Sequence, residues 1–134
     1  MSRVVVSQAL WNPCAQPGGG GVYVTNNLRL GGDELTAAAC LLTGPNMGGK
    51  STLLRGCCVA ALLAHVGCYV PAAALSLSPV DTIFTRLGSY DRIMAGESTF
   101  FVECAEAAHI LSNATADSLV VLDGLGRGTS TFDG

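Results

Sequence analysis

Gly44-Pro45-Asn46-Met47-Gly48-Gly49-Lys50-Ser51 places glycines, a lysine and a hydroxyl at the spacing G-x-x-x-x-G-K-[ST]. A glycine-rich turn of this kind lets several backbone N–H groups and a helix N-terminus converge on one oligophosphate. Lys50 would reach the β- and γ-phosphates, and the Ser51 hydroxyl would complete the shell of a Mg²⁺ ion. The bland alternative is a glycine turn before a core helix. A second metal element is expected at the end of an apolar strand, and Asp123 closes the run Ser118-Leu119-Val120-Val121-Leu122, about 70 residues downstream. Its bland alternative is a turn aspartate. Many enzymes of this class follow that aspartate with a glutamate that polarises the attacking water. Here the next residue is Gly124, which cannot accept a proton. Loss of a general base lowers the rate by roughly 10²–10⁴-fold, whereas binding uses other groups.

The flanking residues must position this chemistry. Residues 38–43 form an apolar run of strand length, and 51–66 read as a proline-free helix with almost no polar face, so that helix is expected to be buried. Gly67 is its expected stop. Upstream, residues 12–21 read as a loop with four consecutive glycines, 22–25 as a strand and Asn26-Asn27 as a turn. A second turn, Gly31-Gly32-Asp33, leads into the 38–43 strand. Pro71 and Pro79 bracket a connecting segment. Residues 80–85 read as a strand, 86–97 as a polar loop and 98–112 as a second helix. Glu103 and Glu106 fall on the polar side of that helix, expected to be a solvated face. The order β-α-β-α-β points to a mostly parallel sheet.

The 134 residues suffice for one small domain; 49% are hydrophobic and 13% charged, which favours a packed core over disorder. A net charge of −3 with seven scattered basic residues argues against this chain gripping nucleic acid by itself. Six cysteines show no C-x-x-C pair, and reduced, mostly buried thiols of an intracellular protein are expected. No apolar stretch reaches the roughly 18 residues of a membrane span. The start lacks a signal-peptide pattern.

The run Thr43-Gly44-Pro45-Asn46-Met47-Gly48-Gly49-Lys50-Ser51-Thr52 resembles the phosphate loop of the MutS family of DNA mismatch-repair ATPases. Further stretches resemble that family in the same order. They are Gly67-Cys68-Tyr69-Val70-Pro71, Phe84-Thr85-Arg86-Leu87-Gly88, Gly96-Glu97-Ser98-Thr99-Phe100-Phe101-Val102-Glu103 and the run from Leu122-Asp123-Gly124 to Phe132-Asp133-Gly134. The wording Asp91-Arg92-Ile93-Met94-Ala95-Gly96-Glu97-Ser98-Thr99-Phe100 resembles the larger subunit of the eukaryotic MutSα heterodimer. The resemblance is dense from 41 to 134 and thin before. No Leu-Ser-Gly-Gly-Gln run is present, which disfavours a transporter ATPase.

The resemblance implies an α/β P-loop NTPase fold with an ABC-type ATPase sheet and flanking helices, incomplete at the C-terminus. Residues 1–37 would be a strand-and-loop lead-in and 38–134 the ATPase core. It implies ATP and Mg²⁺ as ligands and a second MutS-type subunit as partner. Mismatched DNA would be bound through domains outside this chain; the location would be nuclear and no membrane involved. By position, Gly44, Pro45, Asn46, Met47, Gly48, Gly49, Lys50, Ser51 and Thr52 would hold the nucleotide, and Ser51 and Asp123 the metal. Ser98 would reach across the dimer toward the partner's γ-phosphate. Tyr23 would stack on adenine, the alternative being a plain strand tyrosine. Gly124 stands where the family has its catalytic glutamate, so no catalytic residue is assigned. Two readings follow: an ATPase domain, or a non-hydrolysing nucleotide-binding module or incomplete gene product. The family's switch histidine, and a central strand that comes later in the chain, are expected to be missing. The 134-residue chain in isolation is therefore expected to be unstable. His65 and His109 match no catalytic position and read as ordinary helix residues.

Overall fold

The computed structural model describes residues 4–15, 21–32, 37–87, 99–124 and 126. The described residues form an α/β structure with two sheets and two helices, and the chain divides into two units, Met1–Pro79 and Val80–Gly134.

In the first unit, β1 (Val4–Leu10) lies between β2 (Asn26–Gly31) and β3 (Ala74–Leu77), antiparallel to both. The ladder with β2 shifts register between Ser7 and Leu10. Ala9 sits there at φ 52, and its N–H donates to Asn27 Oδ1 at 2.9 Å, so an asparagine side chain replaces the interrupted ladder. α1 (Lys50–His65) packs on β1. Val5, Leu10, Leu28, Cys57, Ala60 and Leu77 converge there around a gap of only about 10 Å³. Gly67, at φ 75, ends the helix as expected. Its N–H donates to Ala64 O, and that of Cys68 to Leu63 O at 2.9 Å, which satisfies two terminal carbonyls.

The second unit is a β-α-β segment. β4 (Ile83–Leu87) pairs in parallel with β5 (Leu119–Asp123), and α2 (Thr99–Asn113) connects them. Thr115 and Ser118 hydroxyls both donate to the Asp81 carboxylate, tying the turn before β5 to the segment before β4.

Several expectations require correction. The sheet is not mostly parallel: among the described residues only β4 and β5 pair in parallel, and the larger sheet is antiparallel. Residues 38–43 form no strand, and 37–41 are exposed. A strand needs a partner for its N–H and C=O groups, and no ladder reaches this run among the described residues. The upstream strand begins at Asn26 rather than ending at Thr25, because Leu28 and Leu30 face inward with period two. The segment between Pro71 and Pro79 contains β3, and 4–10 form the middle strand of the antiparallel sheet. α1 is not buried all round: Gly56, Cys58, Ala60 and Ala61 are buried, whereas Leu62 and Val66 are exposed, since β1 covers one side. The cysteines are not mostly buried either; all six are free thiols, with Cys14, Cys40, Cys68 and Cys104 exposed.

Candidate functional site

Backbone geometry builds the phosphate-type loop. Gly49 caps α1 at φ 85, a left-handed conformation that side-chain-bearing residues disfavour. A Cβ on Gly48 would lie 2.9 Å from the Pro45 carbonyl oxygen, so the chain can turn this tightly only with glycine there. The Gly48 N–H donates to that same oxygen at 3.1 Å. No side chain caps α1, and its first turn carries no acidic residue. The helix N-terminus therefore offers an uncompensated positive end to an anion.

Lys50 Nζ donates to the carbonyl oxygens of Gly44 and Pro45, 2.7 Å each. Two of its three N–H groups hold the ammonium on the loop, and the third can meet an anion. Gly44, Pro45, Met47, Gly48, Gly49, Lys50 and Thr52 line one cavity of about 590 Å³, and Tyr23 lines it too. Asn46 and Ser51 do not line it. Tyr23 is fixed twice. The Asn12 backbone N–H donates to its hydroxyl at 2.9 Å, and its ring meets Trp11 edge-on at a centroid distance of 6.3 Å. Asn12 is buried, and its Nδ2 also donates to the Thr52 carbonyl in the first turn of α1 at 3.2 Å. One residue thus joins the end of β1, the start of α1 and the tyrosine, with its backbone N–H on the phenol and its side-chain amide on α1.

Asp123, in the second unit, closes β5 and is buried. Gly124 follows at φ 69. Arg86, from β4, pairs with Glu103 of α2 at 2.8 Å and with Glu106 at 3.3 Å. Arg86 Nη1 donates to the Asp123 carbonyl at 3.1 Å, while Glu103 Oε2 accepts the Gly126 N–H at 2.9 Å. Glu103 therefore does not lie on a solvated face. An arginine on the neighbouring strand draws it in, and α2 turns Phe101 and Leu111 outward instead. Ser98 lies outside the described residues.

Burial pushes the Cys57 thiol up to about 11, with the adjacent Cys58 adding to the effect, and burial raises Cys58 as well. Both are neutral at physiological pH, so thiolate chemistry is not available on α1. His65 Nδ1–H donates within its own helix to Ala61 O at 2.7 Å, and His109 meets Phe84 edge-on. Both lie within helices. Among the described residues no group of three or more His, Cys, Asp or Glu could cage a metal. A Mg²⁺ ion bound mainly through ligand phosphates needs only one or two protein oxygens and no such cage.

Residues 40–134 match MutS domain V. The chain belongs to the MutS family. This MutS segment is 58% identical over 132 residues to DNA mismatch repair protein MSH7 of Arabidopsis thaliana, covering 95% of the chain and 12% of that protein. It is 56% identical over 117 residues to DNA mismatch repair protein Msh6 of Homo sapiens, covering 84% of the chain and 9% of that protein. It is 58% identical over 116 residues to DNA mismatch repair protein MSH6 of Arabidopsis thaliana. The segment thus spans about a tenth of the length of the curated relatives it matches. Among the described residues no helix is long and apolar enough to cross a membrane.

Reading the MutS sequence alone missed Asn12 and the Arg86–Glu103 pair. Asn12 left a faint trace: an asparagine before Pro13, at the end of an apolar run, favours an Asx turn, and its Oδ1 accepts the Cys14 N–H at 2.9 Å. Arg86 and Glu103 left none, since 17 positions separate them and each alone reads as a surface charge.

Proposed function

We propose that this chain is the ATP-binding segment of a DNA mismatch-repair protein, with 1–37 as lead-in and 38–134 as a P-loop ATPase core of ABC type. The observation that carries the reading is the cavity beside the uncapped start of α1, which brings the Gly44–Lys50 loop, the Lys50 ammonium and Tyr23 to one place. Triphosphate oxygens would meet the N–H groups of residues 48–52, the Lys50 ammonium would meet the β- and γ-phosphates, and Tyr23 would stack on the adenine. The Ser51 hydroxyl and the Asp123 carboxylate would hold Mg²⁺, which when bound neutralises charge on those phosphates. Ser98 would extend toward the nucleotide of a second MutS-type subunit. Mismatched DNA would be bound by other domains, in the nucleus, and nucleotide state would be coupled to that binding.

One observation favours a second reading, in which this subunit binds nucleotide without hydrolysing it. Gly124 occupies the general-base position at φ 69, where a glutamate would carry a backbone penalty of about 1–2 kcal/mol. The test uses the full-length protein with its partner subunit. A fluorescent ATP analogue is expected to bind saturably and more tightly with Mg²⁺; no such binding overturns both readings. Gly124→Glu is expected to raise hydrolysis. Normal hydrolysis by the unaltered glycine-bearing subunit overturns the second reading.

A further inference from the structure

Two buried charges meet the backbone groups of Asp123, Gly124 and Gly126 at the end of β5. Arg86 and Glu103 are only 4% and 1% exposed and come from different elements, β4 and α2. They pair at 2.8 Å, and each then reaches the same short stretch. Arg86 Nη1 lies 3.1 Å from the Asp123 carbonyl oxygen and 3.5 Å from that of Gly124. Glu103 Oε2 takes the Gly126 N–H at 2.9 Å. A buried ion pair is a poor stabiliser, because desolvation offsets attraction and apolar residues of similar volume usually serve as well or better. Stability therefore does not account for this pair. What apolar residues could not do is hold three backbone groups between 123 and 126 with directional bonds.

We propose that Arg86 and Glu103 are positioning residues: the pair clamps the backbone groups of Asp123, Gly124 and Gly126 and so fixes the direction of the Asp123 carboxylate, the group that the nucleotide reading assigns to Mg²⁺. The inference rests on the nucleotide reading above and deepens it. Neither side chain is a general base in this account. Glu103 acts through the backbone it holds, in the way outer-sphere groups orient the residues that meet a metal.

The test uses the full-length protein with its partner subunit. Two variants are compared with the parent: the apolar double substitution Arg86→Met/Glu103→Leu, and the near-isosteric Glu103→Gln. The first readout is the gain in affinity for a fluorescent ATP analogue on adding Mg²⁺; the second is amide exchange in peptides covering 119–126. The double variant is expected to keep its thermal melt and its Mg²⁺-free affinity. Its Mg²⁺ gain should fall by roughly 10-fold or more, and exchange near Gly126 should speed up. Glu103→Gln should shift both readouts the same way by less, and it decides the matter if the double variant fails to fold. A merely structural pair would lower affinity equally with and without Mg²⁺. The proposal alone is overturned if the parent shows a Mg²⁺ gain that both variants keep. If the parent shows no gain at all, the nucleotide reading falls and this proposal with it, a result visible before any substitution is made.

Discussion

The phosphate-type loop and the carboxylate end of β5 are built on opposite plans. The loop is exposed from Thr43 to Gly49, and backbone shapes it: two glycines, a helix start without a cap, and a lysine held by its own carbonyls. Asp123 is 5% exposed, and buried side-chain charges brace the backbone around it. The difference suits the role proposed for each. A loop that receives a large polyanion needs open N–H groups and room, and glycine provides both. A single carboxylate that serves a metal needs one fixed direction, which a clamp on its backbone provides.

Four perturbations would break or sharpen that contrast in the full-length protein. The largest effect is expected from Glu103→Ala, which strands the Arg86 guanidinium without its buried partner. Local stability of the β4–α2–β5 unit should drop by about 3–5 kcal/mol, read as faster amide exchange across β5; unchanged exchange would show that the clamp is not charge-based. Next, Lys50→Met should weaken binding of a fluorescent ATP analogue by about 10–100-fold, the loss of one charge-assisted bond. Exchange in α1 should stay the same, since Nζ is exposed. Retained affinity would remove the loop from binding.

Alkaline pH tests the ground behind the loop. The Cys57 pKa is raised in the folded chain from an ordinary 9.0 to about 11. A raised pKa means stability is intact below pH 9 and is lost as pH rises through the folded value. Between these limits it should decline by up to roughly 1.4 kcal/mol per pH unit. Cys57→Ala should flatten that decline in α1 exchange. The smallest effect is expected from Glu106→Ala. Glu106 meets Arg86 at 3.3 Å but is 46% exposed, so its removal should change stability by less than about 1 kcal/mol. A loss as large as that from Glu103 would mean that solvent exposure does not separate the two glutamates.

Local signals made α1, α2 and β5 legible in the sequence. Gly49 and Gly67 bracket α1 because only glycine enters left-handed conformations without strain, and β5 is a short apolar run ending in an acid. The loop residues that share a cavity lie within a few positions of one another, so their grouping also follows from spacing. The larger sheet was not legible. β1 pairs Val5 with Leu77 and with Leu30, partners far apart in the chain, and period-two patterns do not name their partners. The run 38–43 illustrates the same point in reverse: it has strand composition, yet it joins no ladder among the described residues. Leu41, Val120 and Leu122 stay exposed.

By itself the sequence determined the phosphate-type loop, its helix, the strand that ends in Asp123 and the MutS resemblance, because each is written in contiguous residues whose geometry is local. Only the tertiary structure decided that Asn12 would tether Tyr23 to α1, and that Arg86 and Glu103 would leave the surface to grip the backbone beside Asp123. A charge looks solvated in a sequence. Whether it is buried depends on an opposite charge that folding brings to it from another element, since desolvation is tolerated only where that partner stands.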